Sequence, residues 1–274
     1  MSILYNILYG IISGIAEFLP VSLQAHQALM HRIFGIEAIA PLRSIFIRIG
    51  LLLALLTACR TIIMRLKKEK ALASRPRRIR GTERKGLFDL RLVRTATLPL
   101  LAGLLAVFFT GTMDFDLIVL ALILIVNGVI ILYPAYMPQG NKDSSAMTGL
   151  DAILMGVSGA LSALPGISRM GAVLSVATAR GADKNHALNW ALLLSIPAIV
   201  LTLIADIVNL FIFGVQGISF TVLLGCAICG VFAFIGGRMG IGLIRYLTFR
   251  TGFAGFAYYS WGMALFAFIL YLIT

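Results

Sequence analysis

Apolar runs recur along the whole chain, at about residues 3–19, 44–62, 96–112, 117–134, 151–164, 189–213, 219–240 and 252–273. A helix needs roughly 20 such residues to cross a bilayer, and nothing but a helix or a closed barrel satisfies its own backbone there. Most of these runs reach that length. The runs at 3–19 and 151–164 are too short to span comfortably, and each ends at a proline, Pro20 or Pro165. Hydrophobic residues make up 60% of the 274 and charged residues only 12%, whereas a soluble domain carries about 25% charged residues. A soluble globular protein is therefore excluded. Six spans use about half of a chain this long, so no large extramembrane domain remains and any chemistry takes place in the membrane.

The formal net charge of +12 invites a nucleic-acid reading, but 13 of the 23 Lys and Arg residues lie between Arg60 and Arg94. A basic loop beside apolar spans is the positive-inside signal. It places the stretch 60–94 in the cytoplasm, with anionic lipid headgroups as natural neighbours. No aromatic interleaving or recognition motif accompanies the charge, so no nucleic-acid partner is expected. Cys226 and Cys229 form a C-x-x-C, yet Gly225-Cys226-Ala227-Ile228-Cys229-Gly230 reads as helix packing, with no redox or zinc partners nearby. The N-terminal apolar stretch has no basic n-region and no small-residue cleavage site, and is expected to be retained.

Two segments match each other. Ile12-Ser13-Gly14 leads through four residues to Leu19-Pro20, and Val157-Ser158-Gly159 leads through four to Leu164-Pro165, with Ser22 and Ser168 soon after. Three apolar runs follow each copy. The chain is thus expected to be an all-α polytopic membrane protein of two inverted repeats, each a re-entrant helical hairpin plus three transmembrane helices. The first repeat covers 1–134 (hairpin about 3–34; spans about 44–62, 96–112 and 117–134). The cytoplasmic linker is 135–150. The second covers 151–274 (hairpin about 151–180; spans about 189–213, 219–240 and 252–273). An odd number of spans per half inverts the second copy, and both broken tips then meet near the midplane. The charge pattern agrees: segments 60–94, 135–150, 180–188 and 238–251 hold 13, 1, 2 and 3 basic residues, all on one side.

Ionisable groups at membrane depth generally face an interior cavity and have a function there. Glu17, His26, Arg48 and Arg169 are the candidates. His26 follows Ser22 at a helical offset of four, on the same face. In Pro165-Gly166-Ile167-Ser168-Arg169-Met170-Gly171, glycines flank an arginine where a helix restarts after a break. Free N–H groups at that helix start, a serine hydroxyl and a guanidinium together make an anion cradle. A phosphate is its natural guest.

Glu17-Phe18-Leu19-Pro20-Val21-Ser22 with His26, and Pro165-Gly166-Ile167-Ser168-Arg169, resemble the bacitracin-resistance family of undecaprenyl pyrophosphate phosphatases. Asn189 to Pro197 is similar to that family's Ser-Phe-Leu-Leu-Ser-Ile-Pro segment, and the resemblance extends over essentially the whole chain. It implies a multi-pass enzyme of the bacterial inner (plasma) membrane that removes the terminal phosphate of a C55 polyprenyl diphosphate. The product is the monophosphate carrier lipid for peptidoglycan synthesis, and the family's divalent metal (Mg²⁺ or Ca²⁺) implies a role for Glu17 as metal ligand. By matching position, Glu17, Ser22 and His26 take catalytic roles. Arg169, Ser168, Gly166 and Arg48 hold the phosphates. The partners are a polyprenyl (di)phosphate lipid and the membrane, with a homodimer as candidate assembly.

The sequence departs from the family at several points. The family's first glutamate is Ser13, its second loop serine is Leu23, and the following Thr-Gly is Gln24-Ala25. Arg-Ser-x-x-Thr becomes Arg169-Met170-Gly171-Ala172-Val173, and a glutamine becomes Arg48. The site loses one carboxylate and at least three hydroxyls and gains a cation, so one carboxylate is left to hold a hard divalent metal, which suits it poorly. Two readings follow: a divergent polyprenyl diphosphate phosphatase, or a non-hydrolytic flippase or binder of a lipid phosphate that uses the same cradle. Glu17 and His26 within reach of each other, and of an anion on Arg169, are expected for the first.

Overall fold

The computed structural model describes residues 3–34, 40–73, 90–110, 116–142, 146–214, 219–250 and 252–273. The middle of the basic stretch, residues 74–89, lies outside the described residues. The elements are α1 (Ile3–Phe18), α2 (Leu23–Phe34), α3 (Ala40–Ala58), α4 (Arg60–Ala73), α5 (Leu90–Leu104) and α6 (Val107–Thr110). There follow α7 (Leu117–Leu132), α8 (Gly149–Ala160), α9 (Arg169–Ala179), α10 (Lys184–Phe213), α11 (Phe220–Arg250) and α12 (Gly255–Ile273). Among the described residues β-pairing amounts to an isolated bridge between Lys142 and Ala182. Five helices (α3, α7 with its 3₁₀ extension to Tyr136, α10, α11 and α12) are long and apolar enough to cross a membrane. The protein is an all-α polytopic membrane protein.

Helix boundaries and apolar runs differ in instructive places. The run at 44–62 divides at Cys59, where α3 gives way to the basic α4. α5 begins at Leu90 within the charged stretch and carries Pro99 inside it. α11 continues to Arg250, because buried Ile241, Ile244 and Thr248 keep one face packed.

The most extensive packing in the molecule joins α1 to α11, and α3 packs on α11 from another side. Small residues make this close approach possible, as they commonly do between helices in lipid. A Cβ on Gly14 of α1 would lie 2.5 Å from the Ala233 carbonyl oxygen and 2.6 Å from the Gly237 nitrogen, both backbone atoms of α11. Gly50 of α3 meets the Gly230 carbonyl in the same way. A second, smaller apolar cluster joins α2, α7 and α12 through Ala25, Leu29, Leu120, Leu124, Ala264 and Ala267.

Both short apolar segments form helix–break–helix pairs, α1/α2 around 19–22 and α8/α9 around 161–168, and the helices of each pair pack together. The entrance to the second pair is fastened electrostatically. Asp151, fully buried, forms a capping box with Thr148 and an ion pair with Arg180 at the end of α9. The adjoining linker is held through Lys142, whose N–H donates to the Gly181 carbonyl at 2.9 Å.

Candidate functional site

The two broken tips bond to each other across the halves of the chain. Ser22 caps α2: its Oγ accepts from the Ala25 N–H at 3.3 Å and from the Gly166 N–H at 3.1 Å. Ser168 caps α9: its Oγ accepts from the Gly171 N–H and donates to the Leu19 carbonyl, both at 3.1 Å. Each serine thus satisfies backbone groups that a broken helix leaves open, and each does so for the other tip as well as its own. Gly166 has φ +113°, and a Cβ there would strike Ile123 at 2.7 Å, so this turn favours glycine on both counts. Asn127 on α7 completes the junction. Its Oδ1 accepts from the Ser168 N–H at 2.8 Å and its Nδ2 donates to Ser260 Oγ at 3.0 Å.

Beside this junction lies a small open cleft, lined among others by Glu17, Ser22, Arg48, Ser168, Arg169 and Thr202. Arg169 donates through Nη2 to Glu17 Oε1, and both side chains are only 9% exposed. The Arg169 Nε is buried with no hydrogen-bond partner among the described residues. An unspent donor on a charged group at such depth is a site for an acceptor to fill. Arg48 pairs with Asp206 on α10 and donates through Nη1 to Thr202 Oγ1 at 2.9 Å. Each ion pair joins the two halves of the chain, and each half supplies one arginine and one carboxylate.

The structure therefore brings five of the residues singled out by sequence to one cleft: Glu17, Ser22, Arg48, Ser168 and Arg169. Gly166 sits at the junction, its N–H committed to Ser22. His26, expected beside Glu17 in a catalytic role, is not among the cleft-lining residues. Its Nδ1 donates to the Ser22 carbonyl at 2.7 Å, which leaves Nε2 of the neutral ring to accept from the Tyr259 hydroxyl, also at 2.7 Å. The ring stacks on Tyr259 of α12, and both its nitrogens are spent. At the departure positions, Leu23 and Gln24 line the cleft, while Ser13 accepts from Gln27 Nε2 at 3.2 Å. Met170 and Val173 are fully buried in the core.

Sequence reasoning passed over Asp206, Thr202 and Asn127. Asp206 carried a usable signal: a carboxylate inside an apolar run of spanning length is a functional candidate by the criterion that selected Arg48. Asn127 and Thr202 carried none, since single uncharged polar residues are common in such helices.

Comparisons with known proteins agree with the motifs. A protein of Methanobrevibacter smithii named undecaprenyl-diphosphatase is 30% identical over 98% of both chains. Proteins of the same name from Clavibacter michiganensis and Alkaliphilus metalliredigens are 30% and 28% identical, over 92% and 93% of this chain and 90% and 94% of theirs. The family described as bacitracin resistance protein BacA matches residues 6–266. The motifs at both helix breaks lie inside that match, and the chain belongs to the BacA family.

Proposed function

We propose that this protein is a membrane phosphatase that converts undecaprenyl diphosphate to the monophosphate carrier lipid. One observation carries the reading: two guanidinium groups, each seated on a carboxylate from the other half of the chain, share a cleft at the meeting point of two broken helices. Two cations with unspent N–H donors match the two phosphates of a diphosphate headgroup. The start of α9 adds a favourable helix dipole. The lipid tail lies along the apolar helix faces that meet the bilayer.

In the reaction, a water oxygen bonds to the terminal phosphorus and the bridging P–O bond breaks, leaving its electron pair on the lipid monophosphate. Arg169 and Arg48 stabilise charge on the phosphoryl oxygens. Among the described residues Glu17 is the carboxylate lining the cleft; its Oε1 is held by Arg169, and its other oxygen, Oε2, takes the proton of the attacking water. Ser22, Ser168 and Gly166 hold the two tips in register, and His26 ties the first tip to α12. A divalent cation does not fit this donor set. Glu17 is already engaged by Arg169, and no group of three or more His, Cys, Asp or Glu side chains is gathered among the described residues. The reading further takes the two halves as inverted repeats, and the loop 60–94 as cytoplasmic in the plasma membrane.

Phosphate release from C55 diphosphate by purified protein in detergent tests the activity. Release is expected from the wild type and absent from Arg169→Ala. Retained binding of the lipid with no release would overturn the phosphatase and favour the non-hydrolytic carrier, which needs the cradle alone.

A further inference from the structure

Arg48 is held more elaborately than a snorkelling arginine needs to be. One oxygen of Asp206, Oδ2, accepts from Arg48 Nε and from Ser44 Oγ, the latter at 2.5 Å. Thr202, one turn earlier on α10, spends its own proton on the carbonyl of Ala198 or Ile199. Its oxygen is thereby turned into an acceptor for Arg48 Nη1. Nη2 has no partner among the described residues, and the side chain lines the cleft at 15% exposure. The planar group is thus fixed through two of its three nitrogens and left free at the third, so little entropy is lost when it engages an anion.

A hard divalent ion is normally held by several oxygens, with carboxylates prominent among them. Among the described residues the carboxylates near the cleft are Glu17 and Asp206, and each already neutralises an arginine. A metal ion placed among them would meet two fixed guanidinium groups and find, among the described residues, no carboxylate that is not already paired with an arginine. The phosphates, by contrast, would meet two cations already in place.

We propose that Arg48, positioned by Asp206, supplies the positive charge that a divalent cation would otherwise bring to the phosphates. Diphosphate binding and hydrolysis then proceed without added Mg²⁺ or Ca²⁺. The hydrolysis half rests on the phosphatase reading above; the binding half does not. Asp206 is a positioning residue, touching Arg48 and not the substrate.

The test uses purified full-length protein in detergent with excess EDTA, and reads both phosphate release from C55 diphosphate and calorimetric binding of inorganic pyrophosphate. Wild type is expected to turn over in EDTA at about the rate seen with Mg²⁺, with Arg48→Gln lowering kcat/KM by about 10²-fold. Pyrophosphate should bind in EDTA, and Arg48→Gln should weaken it by about tenfold or more. The double variant Arg48→Gln/Asp206→Asn leaves no stranded carboxylate; it should bind as weakly while unfolding near the wild-type temperature. Asp206→Asn alone should weaken binding less than Arg48→Gln does. Turnover and pyrophosphate binding that both vanish in EDTA and return with Mg²⁺ would overturn the inference and leave the phosphatase standing. Pyrophosphate binding indifferent to Arg48→Gln would overturn it too. Arg48-dependent binding in EDTA without turnover in any condition would uphold the charge assignment and sink the phosphatase.

Discussion

Glu17 and Arg169 are each 9% exposed, so removing either strands its partner's charge where water screens it little. Breaking a buried pair from one side costs about 3–5 kcal/mol, whereas replacing both members with neutral groups of similar shape is often close to neutral. A kilocalorie shifts the melting temperature by about 2–4 °C in proteins approaching this size. Glu17→Gln and Arg169→Gln should therefore each melt about 6–20 °C below wild type. The double variant, with two amides able to bond to each other, should melt above either single one. Cys59, Cys226 and Cys229 are all buried, so a thiol-reactive dye added to detergent-solubilised protein reports unfolding with little background. Scan rates must match, because unfolding of such a protein is read as a rate as much as an equilibrium. A double variant destabilised by the sum of the two singles would refute the reasoning, because two groups that compensate each other cannot be additive. The double variant should also release no phosphate despite its stability, which separates the pair's catalytic part from its structural one.

Gly14→Ala should lower the melting temperature by roughly 2–12 °C, since its Cβ meets α11 backbone atoms that cannot yield and overpacking of this kind costs about 1–3 kcal/mol. Gly242→Ala, on the same α11 but with nothing within 4 Å of the added carbon, is the control and should melt at least as high as wild type. For orientation, Arg80→Cys should react with a membrane-impermeant maleimide in inverted vesicles and stay unlabelled in intact cells. Labelling from outside would reverse the assignment of the 60–94 loop.

The all-α membrane fold and the two helix breaks were readable because lipid tolerates few alternatives, although the run expected to span at 96–112 is divided between α5 and α6 and is not among the five helices of spanning length. Uninterrupted apolar length fixes where helices cross, and Pro20 and Pro165 mark where they cannot continue. Arg169 was legible as a charge at a helix restart. Its pairing with Glu17 was not, because a side-chain contact between residues 152 positions apart depends on how the two halves meet. His26 shows the limit of local reasoning. The offset of four from Ser22 correctly places the ring near that residue, where it bonds the Ser22 carbonyl. Whether that face looks into the cleft or away from it is decided by Tyr259 on α12, far along the chain. Arg43 behaves similarly. It stands one turn into α3, and it lies buried over the rings of Tyr5 and Tyr9 at 5.6 and 5.4 Å, a contact set by the packing of α1.

The union of α1 with α11 has a consequence for how the protein is made. Roughly 200 residues separate the end of α1 from the start of α11. At about 5–20 residues per second of synthesis, the first helix leaves the ribosome roughly 10–40 s before the partner that covers its glycine face. For that interval a segment too short to span comfortably must be sheltered by the insertion machinery or by the earlier spans. A ribosome stalled before residue 220 would release a chain whose first helix has no seat, and membrane quality control would meet it as an orphan.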